Sequence, residues 1–328
     1  MNIQWYPGHM TKARREMEAD VRIVDMVIEL LDARAPMASG NPEIRRLGQG
    51  KERVIVLNKS DLADAATTAA WIRNFQAEGA HCIAMDARGS GNRKLLLRTI
   101  EAAAAAKRER DKKRGILNRP VRAMVAGIPN VGKSTLINML SGRSSAKTGN
   151  KPGVTRGNQW IRFQQSIELL DTPGILWPKF EEPAIGEKIA FLGSINEMIV
   201  DKTELAVTLL AFLRSKGKLE GAKERYQLTG TETAAEMLTE IARLRGCLMA
   251  GGEPDTEKAA GIVINEFRSG ALGRISLEAP EGDIRLTEVG VGWKEHIVKS
   301  GETLSDIALG YAGVTAQDIL RSNGLKDA

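Results

Sequence analysis

The segment Gly127-Ile-Pro-Asn-Val-Gly132-Lys133-Ser134 constrains the fold more than any other part of the chain. It matches the GxxxxGKS phosphate loop, and its neighbours supply the setting that such a loop needs. Val121 to Ala126 is a short apolar, β-branched run that predicts a strand, and Gly132 to Leu140 carries helix-forming residues. Strand, glycine-rich turn and helix N-terminus in succession aim backbone N–H groups at one anion. The site residues expected here are Asn130, Val131, Gly132, Lys133, Ser134 and Thr135. Lys133 is expected on β/γ-phosphate oxygens and Ser134 on Mg2+.

Further short strand-like runs are Ile23 to Leu31, Arg53 to Leu57, His81 to Met85 and Ser166 to Leu170. Helical stretches separate them, at Ala65 to Gln76 and Asn92 to Arg110. This alternation predicts an α/β domain over 1–178, a mostly parallel sheet with helices on both faces. From Phe180 to Leu277 the strand pattern stops. Lys202 to Arg214 and Thr233 to Arg245 show apolar spacings of three and four, and Ala259 to Phe267 carries a stripe of Ile262, Val263 and Phe267. An α-helical domain is expected over 179–280, with a short α+β unit over 294–328. The chain's 328 residues are enough for two compact domains and an appendage.

Two more motifs fall at predicted strand ends. Asp171-Thr-Pro-Gly174 follows Ser166 to Leu170, which places Asp171 to hold the Mg2+ shell and Gly174 to turn its N–H toward a γ-phosphate. Asn58-Lys59-Ser60-Asp61 follows Val54 to Leu57, at the carboxyl edge where nucleotide sites form. A carboxylate at Asp61 accepts from both N1–H and the N2 amine of guanine, a donor pair that adenine lacks, and so selects GTP and GDP. Ser60 or Asp61 can also cap a helix there. The loop Met85-Asp86-Ala87 offers a second base contact, through backbone N–H to guanine O6. The base motif precedes the phosphate loop, a permuted order that leaves the sheet intact because the site depends on which strands are neighbours. The segment after Gly174 then leads straight into the helical region, so movement there can reorient it.

Composition narrows the setting. No apolar run reaches the roughly 18 residues of a membrane span, and Met1 to Met10 lacks a signal-peptide layout, so the expected location is cytoplasmic, with no membrane partner. Cys82 and Cys247 have no metal-binding spacing. A net charge of +6 favours an anionic partner. Basic residues gather at Lys107, Arg108, Arg110, Lys112, Lys113, Arg114 and Arg119, either as a phosphate-contacting patch or as the solvated end of an alanine-rich helix.

With these motifs, and with Trp5-Tyr-Pro-Gly-His9-Met10, Asp32-Ala-Arg-Ala-Pro36 and Gly273-Arg-Ile-Ser276, residues 1 to about 278 resemble the RbgA/YlqF family of circularly permuted ribosome-assembly GTPases. The resemblance implies a large-ribosomal-subunit precursor and its rRNA as partners, and GTP hydrolysis activated on the ribosome. The position where many GTPases carry a water-orienting glutamine is Ile175, so the family likeness assigns water positioning to His9. Asn130 corresponds to a residue that helps hold K+ in potassium-activated relatives. Thr155, within Lys151-Pro-Gly-Val-Thr155-Arg156-Gly157, is the expected switch ligand of Mg2+ and γ-phosphate. The stretch from His296 to Asn323 resembles a LysM module that stops before its closing strand, and a repurposed docking unit is expected there rather than a glycan binder. The functional expectation is a GTP hydrolase that binds precursor particles in the GTP state and leaves after hydrolysis. The alternative is a GTP-dependent RNA-binding switch with little turnover.

Overall fold

A computed structural model describes residues 8–89, 91–116, 119–141, 159–163, 166–174, 176, 182–195, 200–230 and 232–280, with side chains from residue 15 onward. Residues up to 283 form one compact unit and 284–328 a second, so the expected appendage at 294–328 lies outside the described residues.

The chain begins with α1 (Gly8–Ile23), β1 (Met26–Asp32), α2 (Pro36–Ser39), α3 (Pro42–Leu47) and β2 (Glu52–Asn58). A 3-10 turn at Ser60–Leu62 leads to α4 (Ala65–Ala77), β3 (His81–Met85), α5 (Asn92–Lys113), β4 (Val121–Ala126) and α6 (Lys133–Ser141). The hairpin partners β5 (Gln159–Phe163) and β6 (Ile167–Asp171) complete a six-stranded sheet of order β3-β2-β1-β4-β6-β5, with only β5 antiparallel. This is the doubly covered, mostly parallel α/β sheet that the sequence predicts.

Strand alternation explains why the sheet is buried on both faces. Ile28 and Leu30 of β1, Val54 and Val56 of β2 and Val125 of β4 share a core with Leu96 and Ile100 of α5 and Leu136 and Ile137 of α6. On the opposite face, Val27 and Met124 pack with Met17 and Val21 of α1, while Leu31, Ile55 and Leu57 pack with Trp71 and Phe75 of α4. Every residue of β1 is therefore buried.

The helical region holds α7 (Pro183–Phe191), α8 (Lys202–Ser215), α9 (Glu220–Tyr226), α10 (Ala234–Leu244) and α11 (Thr256–Ser269). Its helices start where the sequence provides caps. Asp201 accepts from the Glu204 amide, Asp255 accepts from the Lys258 amide, and Thr233 with Glu236 forms a reciprocal capping box. In α11, Val263, Ile264 and Phe267 are buried and Ile262 only partly so, which shifts the expected stripe by one residue. Past α11 the chain returns along the sheet region: the Ile275 amide donates to Leu62 O (3.0 Å) and the Leu277 amide to Arg34 O (2.6 Å).

Two local expectations change. Ile23 closes α1 instead of opening the first strand, because Asp25 joins β4 first: its amide donates to Arg122 O and its carboxylate accepts from the Arg122 amide. The edge strand β5 has no counterpart in the sequence reading, since Trp160 and Arg162 leave it without a continuous apolar run.

Candidate nucleotide site

Five parallel strands end at the same edge of the sheet, and the loops after β1, β2, β3, β4 and β6 therefore open together. Asn58, the last residue of β2, ties three of them. Its Nδ2 donates to Val131 O of the phosphate loop (2.8 Å), and its Oδ1 accepts from the Ala87 amide after β3 (2.9 Å). One amide of the loop expected to contact the base, that of Ala87, is thus engaged by Asn58 in this structure. Gly132 is needed for this approach: its φ is +105°, and a Cβ there would lie 2.3 Å from Asn58 Nδ2.

Lys133 opens α6, and its buried ammonium donates to Gly127 O and Ile128 O, each at 2.9 Å, inside the hollow of its own loop. Ser134 and Thr135 follow in the first turn of α6. Gly174 sits against this loop, where an added Cβ would lie 2.8 Å from Pro129 Cα and 2.9 Å from Lys133 Nζ. Thr172 fixes the approach by donating its hydroxyl to Val125 O (2.8 Å). Burial lowers the Lys133 ammonium to about 8, against the nearby Asp171 carboxylate, and raises Asp171 to about 6, against Lys133. Both groups are buried, and neither charge fully compensates the other.

Among the described residues, two buried side-chain oxygens have no hydrogen-bond partner: Asp61 Oδ1 and Asp171 Oδ1. A buried polar atom without a partner is costly, and a bound ion, ligand or water is among the things that offset the cost. These two carboxylates are the ones that the sequence assigns to guanine and to the Mg2+ shell. The other Asp61 oxygen accepts from Arg88 Nη2 (2.6 Å). Lys59, in left-handed conformation at φ +57°, turns its ammonium onto Asp32 Oδ2 (3.0 Å), and Asp86 accepts from Arg88. Asn130, also left-handed at φ +59°, donates from Nδ2 to Gly193 O just past α7 (2.7 Å). The loop between β4 and α6 therefore touches the helical region directly.

Mg2+ fits this donor set. Asp171 offers a hard, buried carboxylate oxygen with no partner, beside the first turn of the phosphate-loop helix. Asp171 would hold the ion from the protein side, with the phosphates of a bound nucleotide as the other expected ligands. Magnesium supplies charge neutralisation at the phosphates. Thr155, Ile175 and the His9 side chain lie outside the described residues, although His9 falls within α1. Two contributors were given no role of their own by the sequence. Arg34 is fully buried against Asp32, and Arg88 holds Asp61; neither differs in type or spacing from an ordinary surface arginine.

Fold and site together define a class: a phosphate-loop GTPase whose guanine strand precedes its phosphate strand in the chain. Residues 122–239 match the family described as 50S ribosome-binding GTPase, and residues 296–328 match the LysM domain. Ribosome biogenesis GTPase A of Bacillus cereus is 44% identical over 282 residues, covering 86% of this chain and 95% of the relative. The GNP-bound crystal structure of YlqF from T. maritima is 30% identical at a TM-score of 0.59, covering 82% of this chain and 99% of that one. A GDP-bound structure of TM YlqF gives 0.60, covering 81% and 100%. The chain belongs to the ribosome biogenesis GTPase A family, RbgA/YlqF, and hydrolyses GTP to GDP and phosphate.

Proposed function

We propose that this protein is an assembly factor for the large ribosomal subunit, which binds a precursor particle and its rRNA in the GTP state and is released after hydrolysis. The observation that carries the reading is the hydrogen bond from Asn130 of the phosphate loop to Gly193 O of the helical region. Through it, a change at the phosphates is felt by the part of the molecule that would grip RNA. The relatives' name, Ribosome biogenesis GTPase A, supports the ribosomal partner. The net charge of +6 supports a polyanionic one, and among the described residues no helix is long and apolar enough to cross a membrane. In this reading the protein works in the cytoplasm. Residues 1–178 form the nucleotide domain and 179–280 the RNA-facing one, while 294–328 is a docking unit and not a glycan binder.

In the reaction, Asn58 and Asp61 hold the base end and Lys133 the β/γ-phosphates. Ser134 and Thr155 ligate Mg2+, with Asp171 in its shell. His9 orients the attacking water, and Asn130 lends an oxygen to K+ beside the phosphates, where a cation offsets charge developing in the transition state. One set of measurements tests the whole. Sedimentation with precursor particles is expected to retain the protein with a non-hydrolysable GTP analogue and release it with GDP. Particle-stimulated hydrolysis is expected to be faster in K+ than in Na+, and to be lost in His9→Ala while GTP binding persists. Equal retention with both nucleotides removes the release step. Equal rates in both salts remove K+, and wild-type stimulation in His9→Ala removes His9.

A further inference from the structure

The carboxylate that reads guanine is itself held. Arg88 lies one residue past Ala87, and its guanidinium bridges two acids. Nε donates to Asp86 Oδ1 (3.0 Å) and Oδ2 (3.2 Å), while Nη2 donates to Asp86 Oδ2 (3.1 Å) and to Asp61 Oδ2 (2.6 Å). The backbone anchors the same turn, with the Arg88 and Gly89 amides donating to Asp86 Oδ1 (2.9 Å) and Asp86 O (3.0 Å), and Asn92 Nδ2 to Asp86 O (2.9 Å). A relay of fixed groups thus runs from the start of α5 through Asp86 and Arg88 to Asp61.

A carboxylate turns readily about its last bond, and its plane must align with that of the base for its two oxygens to meet the paired N1–H and N2 donors of guanine. The guanidinium fork is fixed on Asp86, and its Nη2 donates one hydrogen bond to Asp61 Oδ2, which biases that rotation and occupies one acceptor direction of Oδ2, leaving the other direction and the unpartnered Oδ1 for the base. We propose that Arg88 is a positioning residue for base selection, which holds Asp61 in the orientation that distinguishes guanine from purines lacking the 2-amino group. This inference rests on the reading of Asp61 as the guanine acceptor.

The test titrates the full chain with GDP and with inosine diphosphate, which lacks the 2-amino group. Arg88→Ala is expected to weaken GDP binding about fivefold, as suits a solvent-accessible pair with good geometry. It should weaken inosine diphosphate binding less, so that the GDP preference narrows. Arg88→Lys, which keeps the charge without the fork, should restore only part of that preference. Equal losses for both nucleotides, no loss, or tighter GDP binding would each overturn the proposal. Asp61→Asn separates the two levels: undiminished GDP affinity in that variant removes the guanine reading itself. Its loss alongside a silent Arg88→Ala removes only the role of Arg88.

Discussion

Asp32 stands at the end of β1, 1% exposed, between two cations. Arg34 donates to both its oxygens (2.9 Å each), and Lys59 of the guanine motif reaches Oδ2 at 3.0 Å. Burial alone would raise the Asp32 carboxyl, but the Arg34 and Lys59 cations outweigh it and hold the group well below the usual carboxylate range. Removing the anion leaves Arg34 and Lys59 facing each other out of water. Asp32→Asn is therefore expected to cost about 3 kcal/mol of stability, read from the urea midpoint, the range for breaking a buried pair. Because the folded value lies below the ~3.9 of an unfolded aspartate, this contribution is present above that pH and is lost on acidification below it. The difference between wild type and Asp32→Asn should accordingly shrink steadily as pH falls below about 4, and a difference that stays constant on further acidification would contradict the ion-pair account. The sequence reading picked out Asp32-Ala-Arg-Ala-Pro36 only through family likeness. Nothing local to the motif announces that its arginine points inward, over the ring of Phe267 in the distant helix α11.

At the scale of elements, the phosphate loop and the Asp171-Thr-Pro-Gly174 turn work as one because they touch without side chains between them. An alanine at Gly174 would place its Cβ against Pro129 and Lys133 Nζ, forcing the two loops apart. Overpacking of this kind costs about 1–3 kcal/mol, so Gly174→Ala should lower GDP affinity about tenfold or more. Equilibrium titration with a fluorescent GDP analogue measures this, and unchanged affinity would mean that the loops move apart at no cost. The motif-bearing elements were legible in the sequence because continuous apolar runs mark strands buried on both faces, as in β1, β2, β4 and β6. Edge strand β5 was not, since its residues meet solvent on one side and Trp160 packs under Arg122 instead of in the core. The role of Asn58 as a clasp among three loops was also hidden, because its partners Val131 and Ala87 lie in segments joined only by the parallel sheet.

Across the whole molecule, permutation changes what each part of the site is attached to. With β4 at the centre of the sheet, the guanine strands β2 and β3 lie toward one edge and the Asp171 strand β6 on the other side, and the chain leaves β6 directly for the helices. Besides Arg34 over Phe267, two seams among the described residues hold the helical region against the sheet. One is the Asn130 to Gly193 bond, buttressed by Arg268, which donates to Phe191 O (3.0 Å) and Ala190 O (2.9 Å). The other is the returning segment 273–278. There Ser276 Oγ accepts from the Asp64 amide (3.1 Å), Glu278 accepts from the amides of Met37 and Ala38 in α2, and its second oxygen pairs with Lys188 of α7 (3.0 Å). Glu278 alone joins α2, α4 and α7, since its backbone O also accepts from Trp71 Nε1 (3.3 Å). Glu278→Ala removes the side-chain links but leaves the strand cores untouched. Exchange of the Ile275 and Leu277 amides, whose acceptors are Leu62 and Arg34, should quicken about tenfold as this seam opens locally, while amides in β1 and β2 keep their protection. Uniform acceleration at every site would instead mean that Glu278 supports global stability, and unaltered exchange would mean that the second seam holds without it.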